Sequence, residues 1–147
     1  MILKPYHGVY IFLNQGDWSF EQSYFFPMHG AYQAMARDYD QDGDLDIASI
    51  AFFADYAHQP EKGFVYLENN GDLSFSPSTH PIHSLGRWIT MDTGDLDGDG
   101  DLDVALGSYT LGAAFGRAVD TWQDHSGVVL LENTLFDKTA RRVAQSH

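Results

Sequence analysis

Two stretches decide how this chain reads: Asp38-Tyr-Asp-Gln-Asp-Gly-Asp-Leu-Asp46 and Asp95-Leu-Asp-Gly-Asp-Gly-Asp-Leu-Asp103. Each puts aspartate at its first, third, fifth, seventh and ninth positions and glycine at its sixth. Ten of the chain's 21 acidic residues fall in these two loops. Carboxylates packed this closely repel unless a cation sits among them, and a hard divalent ion with oxygen ligands, calcium foremost, is the natural partner. Merely solvated acidic turns would not need the same spacing twice, intact.

The rest of the composition supports a local reading of the charge. The formal net charge is −13, but outside the loops eight basic residues face only eleven acids. The low pI therefore belongs to the loops and not to an acidic tail. No basic patch exists to neutralise phosphates, so nucleic acid is not an expected partner. Without cysteine there is no disulfide, thiolate metal site or Cys nucleophile. No apolar run is long enough for a membrane-spanning helix, and no membrane insertion is expected. Met1 to Asn14 is broken by Pro5, His7 and Gly8 and reads as a strand, not a signal peptide. Millimolar calcium outside cells would suit such loops, which points to an extracellular or periplasmic setting for the parent protein.

Working outward from the loops, the chain repeats itself. The loops begin 57 residues apart, and a glycine-started apolar run ending in asparagine occurs three times: Gly8-Val-Tyr-Ile-Phe-Leu-Asn14, Gly63-Phe-Val-Tyr-Leu-Glu-Asn69 and Gly127-Val-Val-Leu-Leu-Glu-Asn133. Twice it runs into a hairpin signal, through Gly16-Asp17 and Asn70-Gly71. A strand is expected into each loop (32–37 and 88–94) and out of each (47–53 and 104–108). The glycine-started strand follows, and after the second copy a fourth strand near 74–82. The only helix candidate is the short stretch 137–145. This divides a single domain, 1–147, into a half unit (8–26), a full unit (30–82), a second unit (86–133) and a tail (134–147). Four antiparallel strands per unit is the pattern of a β-propeller blade, so the fold class is all-β with about two and a half blades. The second unit carries seven extra residues within Tyr109 to Ser126, a candidate binding insertion.

The loops and the glycine-started strands that follow resemble the FG-GAP repeat family, including its FG-GAP-like and VCBS-type members and the integrin α-subunit propeller. The resemblance runs from about Gly8 to Asn133. It implies a propeller with calcium in each loop, two ions per chain, and a role in binding proteins or carbohydrates or in scaffolding. In the first loop Asp38, Asp40 and Asp42 would offer side chains, Asp44 its carbonyl and Asp46 a closing carboxylate. Asp95, Asp97, Asp99, Asp101 and Asp103 would do the same in the second. Asp44 and Asp101 are then the most replaceable. An EF-hand shares the first half of this pattern but needs a glutamate at position 12, where Ser49 and Leu106 stand.

Two and a half blades leave packing faces open, whereas closed propellers use about four to eight. Either the chain is a piece of a longer propeller or several copies assemble into a ring, and homo-oligomerisation is the favoured expectation, a dimer ahead of a trimer. No Gly-x-Ser-x-Gly elbow, P-loop, dinucleotide fingerprint or His-Glu-x-x-His motif occurs. His29, Arg87 and Asp92 fall where innermost strands begin, near Trp88, and could line a central axis. There they would permit a second metal and metal-dependent hydrolysis of an ester, lactone or phosphotriester as an alternative function. The plainer reading is that Trp88 packs, Arg87 pairs locally and Asp92 is solvated. The histidines of His80-Pro-Ile-His83 are read as loop residues.

Overall fold

In a computed structural model, residues 6–109 and 127–135 are described here. The expected helix at 137–145 and nearly all of the insertion lie outside them. Among the described residues nine strands form three antiparallel sheets in chain order. The first is a hairpin of β1 (Gly8–Gly16) and β2 (Ser19–Pro27). The second is a full four-stranded blade: β3 (Ala31–Arg37), β4 (Asp46–Ala51), β5 (Phe64–Asn69) and β6 (Phe75–Ser78). The third holds β7 (Trp88–Gly94), β8 (Asp103–Ser108) and β9 (Val128–Leu131). The all-β, blade-like fold expected from the sequence is the fold observed.

The repeat extends to backbone detail. The pairing register of β3 with β4 shifts between Ala31 and Gln33, and that of β7 with β8 between Trp88 and Thr90, 57 residues on. The hairpin turn after β1 holds Gly16, Asp17 and Trp18 at φ 89, 48 and 63°. The turn between β5 and β6 holds Gly71, Asp72 and Leu73 at φ 90, 54 and 56°. Positive φ at the central residues gives such turns the twist that the flanking strands need.

Strand ends differ from expectation where local chemistry intervenes. Gly63 closes a short 3-10 turn, Pro60–Gly63, so β5 starts one residue later than its motif. The fourth strand stops at Ser78. Pro77 sits in it opposite Leu67, which an edge strand tolerates, and Pro81 supplies no N–H to carry the ladder on.

The three sheets stack face to face in the order hairpin, first blade, second blade. Side chains alternate along a strand, so the first blade serves both neighbours. Ile47, Ala51, Val65 and Leu67 pack with Val9 and Met28, flanked by Ile11, Tyr24 and Phe26 of the hairpin side. Ala48, Ile50 and Phe64 pack with Trp88, Met91, Val104 and Leu106 of the second blade. All six residues of β4 are buried, as a strand enclosed on both faces requires. Gln33 bonds the two blades at the backbone level. Its Nε2 donates to Met91 O at 2.8 Å, and its Oε1 accepts from Met91 N at 3.0 Å.

Candidate metal loops

Both acidic loops join the first two strands of a blade. Strand pairing closes each at an equivalent place, Arg37 opposite Asp46 and Gly94 opposite Asp103. Gly43 and Gly100 both adopt φ 101°, with open space where a Cβ would sit. Backbone conformation, not crowding, therefore calls for glycine at the sixth position.

In each loop the first three aspartates converge. One oxygen from each of Asp38, Asp40 and Asp42 lies within 4.8 Å of the others, and the same holds for Asp95, Asp97 and Asp99. Backbone N–H groups hold the carboxylates in this inward arrangement. Gly43, Asp42 and Asp44 donate to Asp38, Asp40 and Asp42 at 3.2, 3.3 and 2.9 Å. Gly98, Asp99 and Asp101 donate to Asp95, Asp97 and Asp99 at 2.7, 3.1 and 3.0 Å. Each bond engages one carboxylate oxygen and leaves the other. Asp38 Oδ1 is buried with no hydrogen-bond partner. The Asp40 carboxyl is held above its ordinary range, first by desolvation and then by the charges of Asp46, Asp42 and Asp38, against the pull of the Asp42 N–H. A cation would relieve both the repulsion and the orphaned oxygen, so the donor set fits a hard divalent ion.

The ninth positions are built differently. Asp46 is fully buried. Its Oδ2 accepts from Tyr39 N at 3.2 Å and from the Tyr66 hydroxyl at 2.6 Å, and its Oδ1 accepts from Asn69 N at 2.8 Å. Asp103 accepts from Leu96 N and Asn133 N, both at 2.8 Å. Burial, and then donation to Asp46, pushes the Tyr66 hydroxyl strongly up, so it stays protonated and keeps donating. Each ninth carboxylate thus ties its loop to the end of its blade's third strand. The seventh positions are unequal: Asp44 is half-buried whereas Asp101 is fully buried. Burial therefore distinguishes two positions that the sequence treats alike.

Asn69 and Asn133 were not singled out by sequence reasoning, although both close the repeated glycine-started motif. Their side chains do equivalent work. Nδ2 donates to Leu45 O in one blade (3.2 Å) and to Leu102 O in the other (3.4 Å), while Oδ1 caps the following turn through Gly71 N or Leu135 N, each at 3.2 Å. Recurrence of asparagine at the end of all three motifs was the available signal.

The axis set is not assembled into a site. Arg87 lies over the Tyr56 ring, its Cζ 4.8 Å from the centroid. Burial pushes the Tyr56 hydroxyl up to about 12, against the opposing pull of that guanidinium. Asp92 is exposed and accepts from Thr93 N at 2.9 Å. His29 is half-buried with Nδ1 unpaired, and no hydrogen bond or ion pair joins it to Asp92. Trp88 is fully buried in the core between the blades. Among the described residues, the aspartate triads are the groups whose ligand atoms converge, and neither His29 nor Asp92 belongs to one. A cavity of about 460 Å³ opens between the blades beside the first loop, lined by Tyr39, Phe64 and Tyr66 on one side and Leu102, Val104 and Leu131 on the other. Among the described residues no helix is long and apolar enough to cross a membrane.

No curated protein and no solved structure matches the chain. A family model does, over residues 38–106, which begin at the first aspartate of the first loop and end in the strand leaving the second. Across that span, just under half of the chain, the sequence is similar to the FG-GAP-like repeat.

Proposed function

We propose that the chain is a calcium-binding blade module with a structural and binding role, holding one ion in each acidic loop. The supporting observation is the pair of aspartate triads, each converging within 4.8 Å at the same corner of successive blades. Asp38, Asp40 and Asp42 would hold one ion, and Asp95, Asp97 and Asp99 the other. The ion supplies positive charge where three carboxylates meet, and it fixes the strand entering the loop against the strand leaving it. Binding confined to the folded state raises stability with ligand concentration, by about 2.7 kcal/mol at a hundredfold excess over Kd. The protein in excess calcium is therefore expected to melt well above the protein in chelator, with magnesium at the same concentration giving a smaller rise. Equal melting temperatures in calcium and chelator would dismiss this reading.

The outer faces of the stack support a second part of the proposal, association of copies through blade faces. By motif position Tyr10 and Phe12 correspond to Val65 and Leu67, and Val128 and Leu130 correspond to Phe64 and Tyr66. Inside the chain Val65 and Leu67 are 0% exposed because the hairpin covers them, and Phe64 is 3% exposed against the second blade. Their outer counterparts Phe12, Val128 and Leu130 are 53, 64 and 62% exposed. The hairpin of one copy laid on the second blade of another would repeat the internal packing. Such head-to-tail contacts close a ring when the rotation allows.

A further inference from the structure

We propose that the two acidic loops take up calcium as a coupled pair, with Gln41 as the residue that positions the second loop from the first. This rests on the calcium reading given above. Gln41 stands between Asp40 and Asp42 in the first loop, and its Nε2 donates to Gly100 O in the second at 2.9 Å. Gly100 in turn stands between Asp99 and Asp101. One side chain thus links the residue between two proposed ligands of one site to the residue that follows Asp99, a proposed ligand of the other.

A second route runs in parallel. Asp46 Oδ2 accepts from Tyr39 N. Tyr39 O accepts from Asn133 Nδ2 at 2.8 Å. Asn133 N donates to Asp103 Oδ1. The closing carboxylates of the two loops are therefore joined through the backbone of Tyr39 and one asparagine, across 94 residues of sequence between Tyr39 and Asn133. Both routes leave the first loop and reach the second blade. The second loop has no counterpart to Gln41, since its fourth position is Gly98.

The physical consequence follows from ordering. Fixing a loop residue costs about 1–2 kcal/mol of backbone entropy, and a loop already held by its neighbour loses less when its ion arrives. Gathering Asp40 and Asp42 fixes the backbone of Gln41 between them, which sits at φ 58°. Its side chain then fixes the Gly100 carbonyl, and with it the Asp101 N–H of the same peptide, which donates to Asp99 Oδ1. Direct repulsion between two bound ions opposes the effect, and at physiological salt it is screened over about 8 Å.

Calcium titration by calorimetry at physiological salt tests the proposal, using calcium alone with the unaltered protein and with Gln41→Asn. Asparagine tolerates positive φ and is exposed here, but it is one methylene too short for the bridge. The unaltered protein is expected to take two ions with the second bound more tightly than statistics allow. Gln41→Asn is expected to take two ions as well, with the second step weakened about five-fold, the low end of ordinary coupling between sites. Two independent, equal sites in both proteins, or undiminished coupling in Gln41→Asn, would overturn the inference and leave the calcium reading standing. Absence of any calcium uptake would remove both.

Discussion

At the scale of single residues, ten aspartates that look alike in sequence divide into different roles. Three in each loop point inward and converge, while the ninth is turned toward the blade. This distinction yields a test. Asp46→Asn places an amide where Tyr39 N, Asn69 N and the Tyr66 hydroxyl all donate, so donors would face donors inside the fold. Hydrogen bonds to a buried charge are worth roughly 1.5–3 kcal/mol, and a loss of about that size is expected in urea unfolding even with chelator present. Asp44→Asn, at a half-buried position, is expected to change stability in chelator by less than about 0.5 kcal/mol. A stability loss for Asp46→Asn seen only in calcium would instead make that carboxylate a ligand and nothing more. The spacing of the loops made the inward aspartates legible from sequence, because the spacing that makes them converge is local. The donors to Asp46 were not legible, because Asn69 N comes from 23 residues away and approaches only once β4 and β5 have paired.

At the scale of elements, strand order and the turns were readable because they follow from alternation and from Gly-Asp and Asn-Gly signals. The ends of β5 and β6 moved where Pro60, Pro77 and Pro81 impose their own geometry. What no periodicity announces is the polar bond between blades. Gln33 sits in β3 among short apolar and polar residues, and only the stacking of two sheets brings its amide to the Met91 peptide. Gln33→Ala is expected to leave Met91 N and O without these partners between packed sheets, at a cost of about 1–3 kcal/mol. Hydrogen exchange at the Met91 amide gives a local readout, with faster exchange expected there and little change in the hairpin. Equal slowing or speeding across all three sheets would mean that Gln33 contributes to global stability without specifically joining the blades.

At the scale of the whole molecule, the sequence counted blades but could not show which faces remain open, since coverage depends on how the sheets stack. The stack leaves an aromatic face on the hairpin, where Tyr10 lies against Phe12 and Phe25 with ring centroids 6.1 and 4.4 Å apart, and an aliphatic face on the second blade. Both are what a further blade would cover, and the proposed assembly makes a definite claim about them. Mass measurement in solution is expected to show a defined oligomer in calcium that dissociates on dilution. Phe12→Glu should shift it to monomer, because a charge would then be buried at the contact without a partner, while the melting transition of the monomer changes little at an exposed site. Chelator should weaken assembly by loosening the loops that join the first two strands of each blade. A monomer at every concentration, in calcium, would overturn assembly while leaving the ion sites untouched. An oligomer that Phe12→Glu does not disturb would move the contact to another surface.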